Sequence, residues 1–198
     1  MGLKWVAGFA KNYQSDLPNV TGLQVYNDID TGIPLAVMEC GYLTGLRTAA
    51  VSSIIARECA LPEARTLALA GCGFEGTMHL WFLVSQIPSL REIRLRDIRP
   101  AAMQTLKQHA SQYFSGEIRI CKDRLTEDGQ PDPEFPGGLP EIYATIGEVV
   151  TRRKPARTSA TERIVAIPIG MAICDVALGH LNFTKAVERG AGQKFRLL

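Results

Sequence analysis

Gly71-Cys72-Gly73-Phe74-Glu75-Gly76 carries the clearest chemical signal in the chain. Glycines at G-x-G-x-x-G spacing let the backbone turn sharply, approach a pyrophosphate, and pack the next helix closely on the preceding strand. The pattern is informative only between a strand and a helix, and both flanks qualify. Thr66–Ala70 (TLALA) is a short apolar run bounded by glycine and reads as a buried parallel strand. Glu75–Gln86 carries Met78, Leu80, Trp81, Leu83 and Val84, which suits a helix packed on a sheet. Asp97 ends the next strand, 21 positions beyond Gly76, where a carboxylate can accept hydrogen bonds from ribose hydroxyls. The combination predicts a dinucleotide site built from the backbone of Gly71, Cys72, Gly73, Phe74, Glu75 and Gly76, with Asp97 on the adenosine ribose. The helix N-terminus would offer its N–H groups and partial positive charge to the phosphates. NAD is the favoured cofactor; Arg96 and Arg99 flank Asp97 and suit the 2′-phosphate of NADP as well. The alternative is a glycine-rich turn that binds nothing.

A sheet must stand behind such a loop. Glu92–Arg96, with Ile93 and Leu95 alternating against charged neighbours, reads as a second strand. Pro100 stands where a helix would begin and Ala101–Ala110 continues it. Glu117–Cys121 reads as a third strand, so the order is β-α-β-α-β, half of a doubly wound fold. Upstream, residues 23–39 hold two apolar runs around Asp28, Asp30, Thr31 and Gly32, a hairpin signal. Leu43, Leu46, Ala50 and Ile54 then recur at helical steps, with Pro62 beyond the helix end. Downstream, residues 124–140 form a polar, proline- and glycine-rich loop. Pro140–Val150 reads as a helix, Arg152–Arg157 as a basic, proline-containing turn with Arg152-Arg153-Lys154 solvated, Arg163–Ile167 as a strand, and Ala172–Arg189 as a helix ended by Gly190.

Composition narrows the function classes. A net charge of +2, from 22 basic and 20 acidic residues, gives no reason to invoke nucleic acid or an anionic membrane surface. Five cysteines, none in a C-x-x-C pair, argue against a disulfide framework and against structural zinc. Reduced thiols in a cytoplasmic protein are the simplest reading. Lys4 and Lys11 interrupt the apolar N-terminal stretch, Val6 spoils a myristoylation signal at Gly2, and no apolar run approaches bilayer length. His79, His109 and His180 are scattered without metal-ligand spacing, so no metal is expected. From its residue type alone Lys4 reads as solvated, Arg47 as exposed or ion-paired, and Asp175, on an apolar helix, as a buried, hydrogen-bonded acid.

A resemblance gives Lys4 and Arg47 a second reading. Gly2-Leu3-Lys4, Leu17-Pro18-Asn19-Val20-Thr21, Thr31-Gly32-Ile33-Pro34-Leu35-Ala36 and Leu43-Thr44-Gly45-Leu46-Arg47-Thr48-Ala49-Ala50 follow one another ahead of the glycine loop. The run resembles the ordered motifs of the ornithine cyclodeaminase/mu-crystallin family, and PIGMAICDVALGHLNFTKAVERGAGQ resembles its closing segment. The resemblance implies NAD(P) chemistry on an amino acid or cyclic imine, and a homodimer. It implies that Lys4 contacts the substrate near its carboxylate and reacting amine, and that Arg47 clamps the carboxylate and lies against the cofactor. Asn19 would stand near the cofactor, where the family often has Thr, and Pro168 and Ile169 would line the nicotinamide side. Glu75 replaces a common Gln and sets a carboxylate near the pyrophosphate.

Set against that family, material is missing. Leu67 to Asp123 spans 57 positions, room for half of the doubly wound domain, since a βαβ unit takes about 30 residues or more. The absent half would carry the family's acidic catalytic residue, and part of the substrate domain with another carboxylate-binding arginine is expected before Gly2. The fold expected is therefore α/β: a partial Rossmann unit, residues 63–123, inserted in an α+β substrate and dimerisation domain, residues 1–62 and 140–198, with 124–139 as linker. The implied activity is ornithine-to-proline cyclodeamination with release of ammonia, or imine (ketimine) reduction or amino-acid dehydrogenation. The alternative from another class is a truncated, non-catalytic binding or accessory subunit. The first strand of the partial unit, Thr66–Ala70, is expected to present an open apolar edge.

Overall fold

Two three-stranded sheets organise the protein, one antiparallel and one parallel. The computed structural model describes residues 1–9, 11–15, 17–121, 142–168 and 170–195. They fall into two compact units, Met1–Thr48 with Pro168–Leu198, and Ala49–Ile167. The linker at 124–139, Pro140 and Ile169 lie outside the described residues.

The first unit holds the antiparallel sheet β1 (Gly2–Gly8), β2 (Val20–Asn27) and β3 (Pro34–Glu39). The β2–β3 turn is the expected hairpin: the Asp28 carboxylate accepts the Asp30 and Thr31 N–H groups at 3.1 and 2.8 Å, and Gly32 takes φ +73°. In β1 Leu3, Trp5 and Ala7 line one face and Lys4 interrupts the other, too short an alternation between glycines to mark a strand by itself. Its strand state comes from pairing along its whole length with β2. Lys4 stands opposite Gln24, and Gln24 opposite Met38, so these three share one face. The last helix of the chain, Ala172–Glu188, packs on β1 and β2, and Gly190 ends it at φ +62°.

A long helix, α1 (Gly41–Cys59), begins in the first unit and ends in the second. The second unit continues with β4 (Thr66–Ala70), α2 (Phe74–Gln86), β5 (Glu92–Arg96), α3 (Pro100–Ala110) and β6 (Glu117–Ile120). The strands lie parallel in the order β4-β5-β6. This is the partial Rossmann arrangement. Its core is Cys72, Leu80, Ile93, Leu95, Met103, Leu106, Ala110 and Ile118. Ile93 and Leu95 of the central β5 are fully buried, whereas Leu67 and Leu69 of β4 are half-buried. The apolar run predicts a buried strand at β4, but among the described residues only β5 pairs with it, and its other side is an edge.

Two elements differ from expectation downstream. The short helix α4 (Ile146–Val150) starts six residues later than Pro140, behind a capping box in which the Thr145 hydroxyl accepts the Glu148 N–H and the Glu148 carboxylate accepts the Thr145 N–H. Ile142 and Tyr143 before it are exposed, with no apolar burial to hold another turn. Arg163–Ile167 is not a strand: Val165 and Ile167 point to solvent, and no neighbouring strand supplies ladder hydrogen bonds among the described residues. Arg152 and Arg153 of the basic turn are exposed, Arg152 at φ +60° and ion-paired to Glu58 at 2.8 Å, whereas Arg157 is half-buried and donates to the Cys59 carbonyl at 3.0 Å. The final helix is α5 (Ala172–Glu188).

Candidate functional site

The glycine loop joins β4 to α2 in the second unit. Gly71 sits at φ +93°, a backbone state that L side chains rarely adopt. A Cβ on Gly76 would fall 2.0 Å from the Gly71 carbonyl oxygen, so only hydrogen there lets α2 start this close to the strand end. With Gly73 at the N-cap, no side chain caps the start of α2. A positive turn, a close helix-on-strand contact and an uncapped helix start are what a pyrophosphate requires, so the loop fits a dinucleotide. Phe74 and Glu75 lie exposed at the mouth, and the Glu75 carboxylate leans back to His79 Nδ1 at 3.8 Å.

Asp97 follows β5 directly and is buried to 9 % exposure. One carboxylate oxygen accepts the Cys72 N–H at 2.6 Å; the other accepts the Arg99 N–H at 2.8 Å and the Arg99 Nε at 3.4 Å. Burial alone would raise its pKa, but these bonds from Cys72 and Arg99 outweigh burial and hold the carboxyl below the ordinary aspartate value. The acid thus ties the loop to the next strand while Oδ2, with a single donor, keeps lone-pair capacity for a ribose hydroxyl. Burial first, and the Asp97 charge second, push the Cys72 thiol up, so it stays protonated at neutral pH.

The first unit holds a second constellation. Asp175, in the first turn of α5, is 7 % exposed. Its Oδ1 accepts Lys4 Nζ at 2.9 Å and Arg47 Nε at 3.0 Å. Side-chain exposures of 9 % for Lys4 and 14 % for Arg47 overturn the solvated reading of Lys4 and settle Arg47 as ion-paired. Asp175 is the buried, hydrogen-bonded acid expected from its apolar helix. Gln24 extends the cluster: its Nε2 donates to the Asp175 carbonyl at 2.7 Å, and its Oε1 is the one buried side-chain polar atom without a partner among the described residues. Two cations on one carboxylate leave a buried net charge of +1, which favours an anion in place of water. Sequence reasoning missed that Asp175 joins Lys4 to Arg47, and it missed Gln24 altogether. An acid inside the apolar run PIGMAICDVALG was the available signal. Asn19 is exposed, its carbonyl accepting the Phe9 N–H at 2.7 Å, and Pro168 is exposed ahead of Gly170.

The family profile described as ornithine cyclodeaminase/mu-crystallin matches residues 1–129. The chain belongs to the ornithine cyclodeaminase/mu-crystallin family. Among its relatives, the N-((2S)-2-amino-2-carboxyethyl)-L-glutamate dehydrogenase of Staphylococcus aureus is 31 % identical over 260 positions, covering 99 % of this chain and 77 % of that one. Two solved structures share the fold. The Thermococcus litoralis Delta(1)-pyrroline-2-carboxylate reductase, solved with NADH and L-proline, has a TM-score of 0.86 at 21 % identity, over 98 % of this chain and 80 % of that one. An archaeal alanine dehydrogenase dimer with bound NAD has a TM-score of 0.88 at 22 % identity, over 100 % and 81 %. Placing 99 % of a 198-residue chain over 260 positions leaves about 60 where the relative has residues and this family member has none, room for roughly two βα units. Among the described residues no group of His, Cys, Asp or Glu could hold a metal, and no helix is long and apolar enough to cross a membrane.

Proposed function

We propose that this chain binds NAD at Gly71–Gly76 and Asp97, and an amino acid or cyclic imino acid by its carboxylate at Lys4 and Arg47. The observation that carries the reading is the Lys4–Asp175–Arg47 cluster, two buried cations sharing one carboxylate oxygen. Arg47 would meet the substrate carboxylate with a planar pair of N–H donors, and Lys4, held beside it, would stabilise charge at the carboxylate and the reacting nitrogen. The Gly71–Gly76 backbone and the α2 N-terminus would hold the pyrophosphate and Asp97 the adenosine ribose, Asn19 would stand near the cofactor, and Pro168 and Ile169 would line the nicotinamide side. The nicotinamide, when bound, accepts and returns hydride. On this reading the reaction class is amino-acid dehydrogenation, its reverse on a cyclic imine, or the ornithine-to-proline cyclodeamination that couples both. Titration calorimetry with NAD and with L-proline, followed by absorbance at the NADH band with ornithine, alanine or L-proline present, tests it. Binding of neither ligand would sink the reading.

The homodimer also belongs to this proposal. Leu3, Trp5, Leu23 and Val37 share the sheet face turned away from Lys4 and Gln24, and all are exposed, Trp5 at 74 %. A patch of this kind marks an association surface, and the archaeal neighbour is a dimer.

A second reading, binding without turnover, has its own support. The β4 edge carries no charge, proline or bulge, and about 60 positions present in the dehydrogenase relative are absent. NAD binding with no NADH formed from any of the three substrates, and aggregates in light scattering, would favour it.

A further inference from the structure

We propose that Asp175 is a positioning residue for the ligand-binding edge of Arg47, and that Gly170 is the residue that leaves that edge its room; the proposal rests on the carboxylate reading above. A guanidinium has two edges able to hold a carboxylate with paired bonds, the Nε/Nη side and the Nη1/Nη2 end. Asp175 engages Arg47 only from the side, at Nε, 3.0 Å from Oδ1. The same oxygen takes Lys4 Nζ at 2.9 Å, which locks the acid's orientation from a second direction. Among the described residues Nη1 and Nη2 have no hydrogen-bond partner, so the end of the fork is the part of Arg47 left for a ligand. An acid approaching end-on would have consumed it. Asp175 sits in the first turn of α5, and the Gln24 amide donates to its carbonyl, so the carboxylate is anchored through its backbone as well.

Gly170, two residues before α5, faces that end. A Cβ built on it falls 2.6 Å from Nη2 and 2.7 Å from Nη1, nearer to both than to Cζ at 2.9 Å. Being closer to both terminal nitrogens than to the central carbon puts it on the Nη1/Nη2 side of the guanidinium, oblique to its plane. A methyl group at this position would therefore occupy the space in front of the fork or push Arg47 off it. Gly170 and Asp175 act on the same side chain from opposite directions: one holds Nε, the other clears the Nη end.

The experiment is a calorimetric titration of the full chain with L-proline and with pyrrolidine, the same ring lacking the carboxylate. The readout is the ratio of the two dissociation constants, which global stability does not move because both ligands meet the same folded protein. Wild type is expected to prefer L-proline. Asp175→Asn should cut that preference about tenfold, the scale of one charge-assisted hydrogen bond, and Asp175→Glu should restore part of it. Gly170→Ala should cut it without touching the ion pair, and it keeps the proposal falsifiable if Asp175→Asn fails to fold. A ratio unchanged in Gly170→Ala, or in a folded Asp175→Asn, overturns this proposal alone. No L-proline binding by wild type overturns the carboxylate reading and this proposal with it.

Discussion

Asp97 and Asp175 are both buried acids, 9 % and 7 % exposed, yet the protein treats them in opposite ways. Asp97 is satisfied chiefly by backbone N–H groups of Cys72 and Arg99, twenty-five and two positions away in sequence, with the Arg99 guanidinium as an exposed third partner. Asp175 is satisfied by two side-chain cations 128 and 171 positions away. Neutral dipoles stabilise Asp97 without bringing a buried countercharge, so its region keeps the acid's negative charge available for a ribose. The cations around Asp175 overcompensate it, so that region is left positive and suited to an anion. One burial level thus serves two chemistries, decided by whether the partners are dipoles or charges.

The comparison breaks most visibly if the acids are removed. Asp175→Ala should lower stability by about 3–5 kcal/mol, because two buried cations lose their shared partner; urea unfolding measures it. Adding Lys4→Met to that variant should recover a large part. Asp97→Ala strands two backbone N–H groups, a cost of about 1–3 kcal/mol, and should weaken NAD binding in calorimetry where Asp175→Ala leaves ADP-ribose binding unchanged. A larger loss for Asp97→Ala than for Asp175→Ala would reverse the ranking.

Gly76→Ala sharpens the loop side. Its methyl group would meet the Gly71 carbonyl at 2.0 Å, and strain of this kind costs about 1–3 kcal/mol. ADP-ribose affinity should fall with it, while the carboxylate preference in the first unit should not change.

The pH dependence is a smaller effect with a definite sign. The Asp97 carboxyl is held below its ordinary value, so its contribution is complete above about pH 4, the unfolded aspartate value, and is lost as pH falls through the folded value. Stability measured from pH 6 down to pH 3 should therefore decline less steeply in Asp97→Asn than in wild type. The smallest expectation concerns Cys72. Burial and the Asp97 charge raise its thiol, so iodoacetamide at pH 7 should label it slowly, and Asp97→Asn should speed labelling modestly.

Much of the second unit was legible in sequence because its signals are local. TLALA, the three glycines, the Ile93/Leu95 alternation and Pro100 each act within a few residues, and β4, α2, β5 and α3 lie within one residue of where those signals put them. The failures have a common cause. β1 exists through its pairing with β2, Arg163–Ile167 lacks a strand partner among the described residues, and β4 is half-exposed because no described strand covers its second side.

The sequence by itself determined the loop, since a positive φ at Gly71 and the contact at Gly76 are properties of glycine within a strand-turn-helix. It also determined that Asp175 would be buried, because the helix around it is apolar. Only the tertiary structure decided that Lys4, Arg47 and Asp175 form one cluster. Residue types set which charges exist. Which charges meet is set by strand register and by where α5 packs on the sheet, and sequence spacing of 128 or 171 positions holds no record of either.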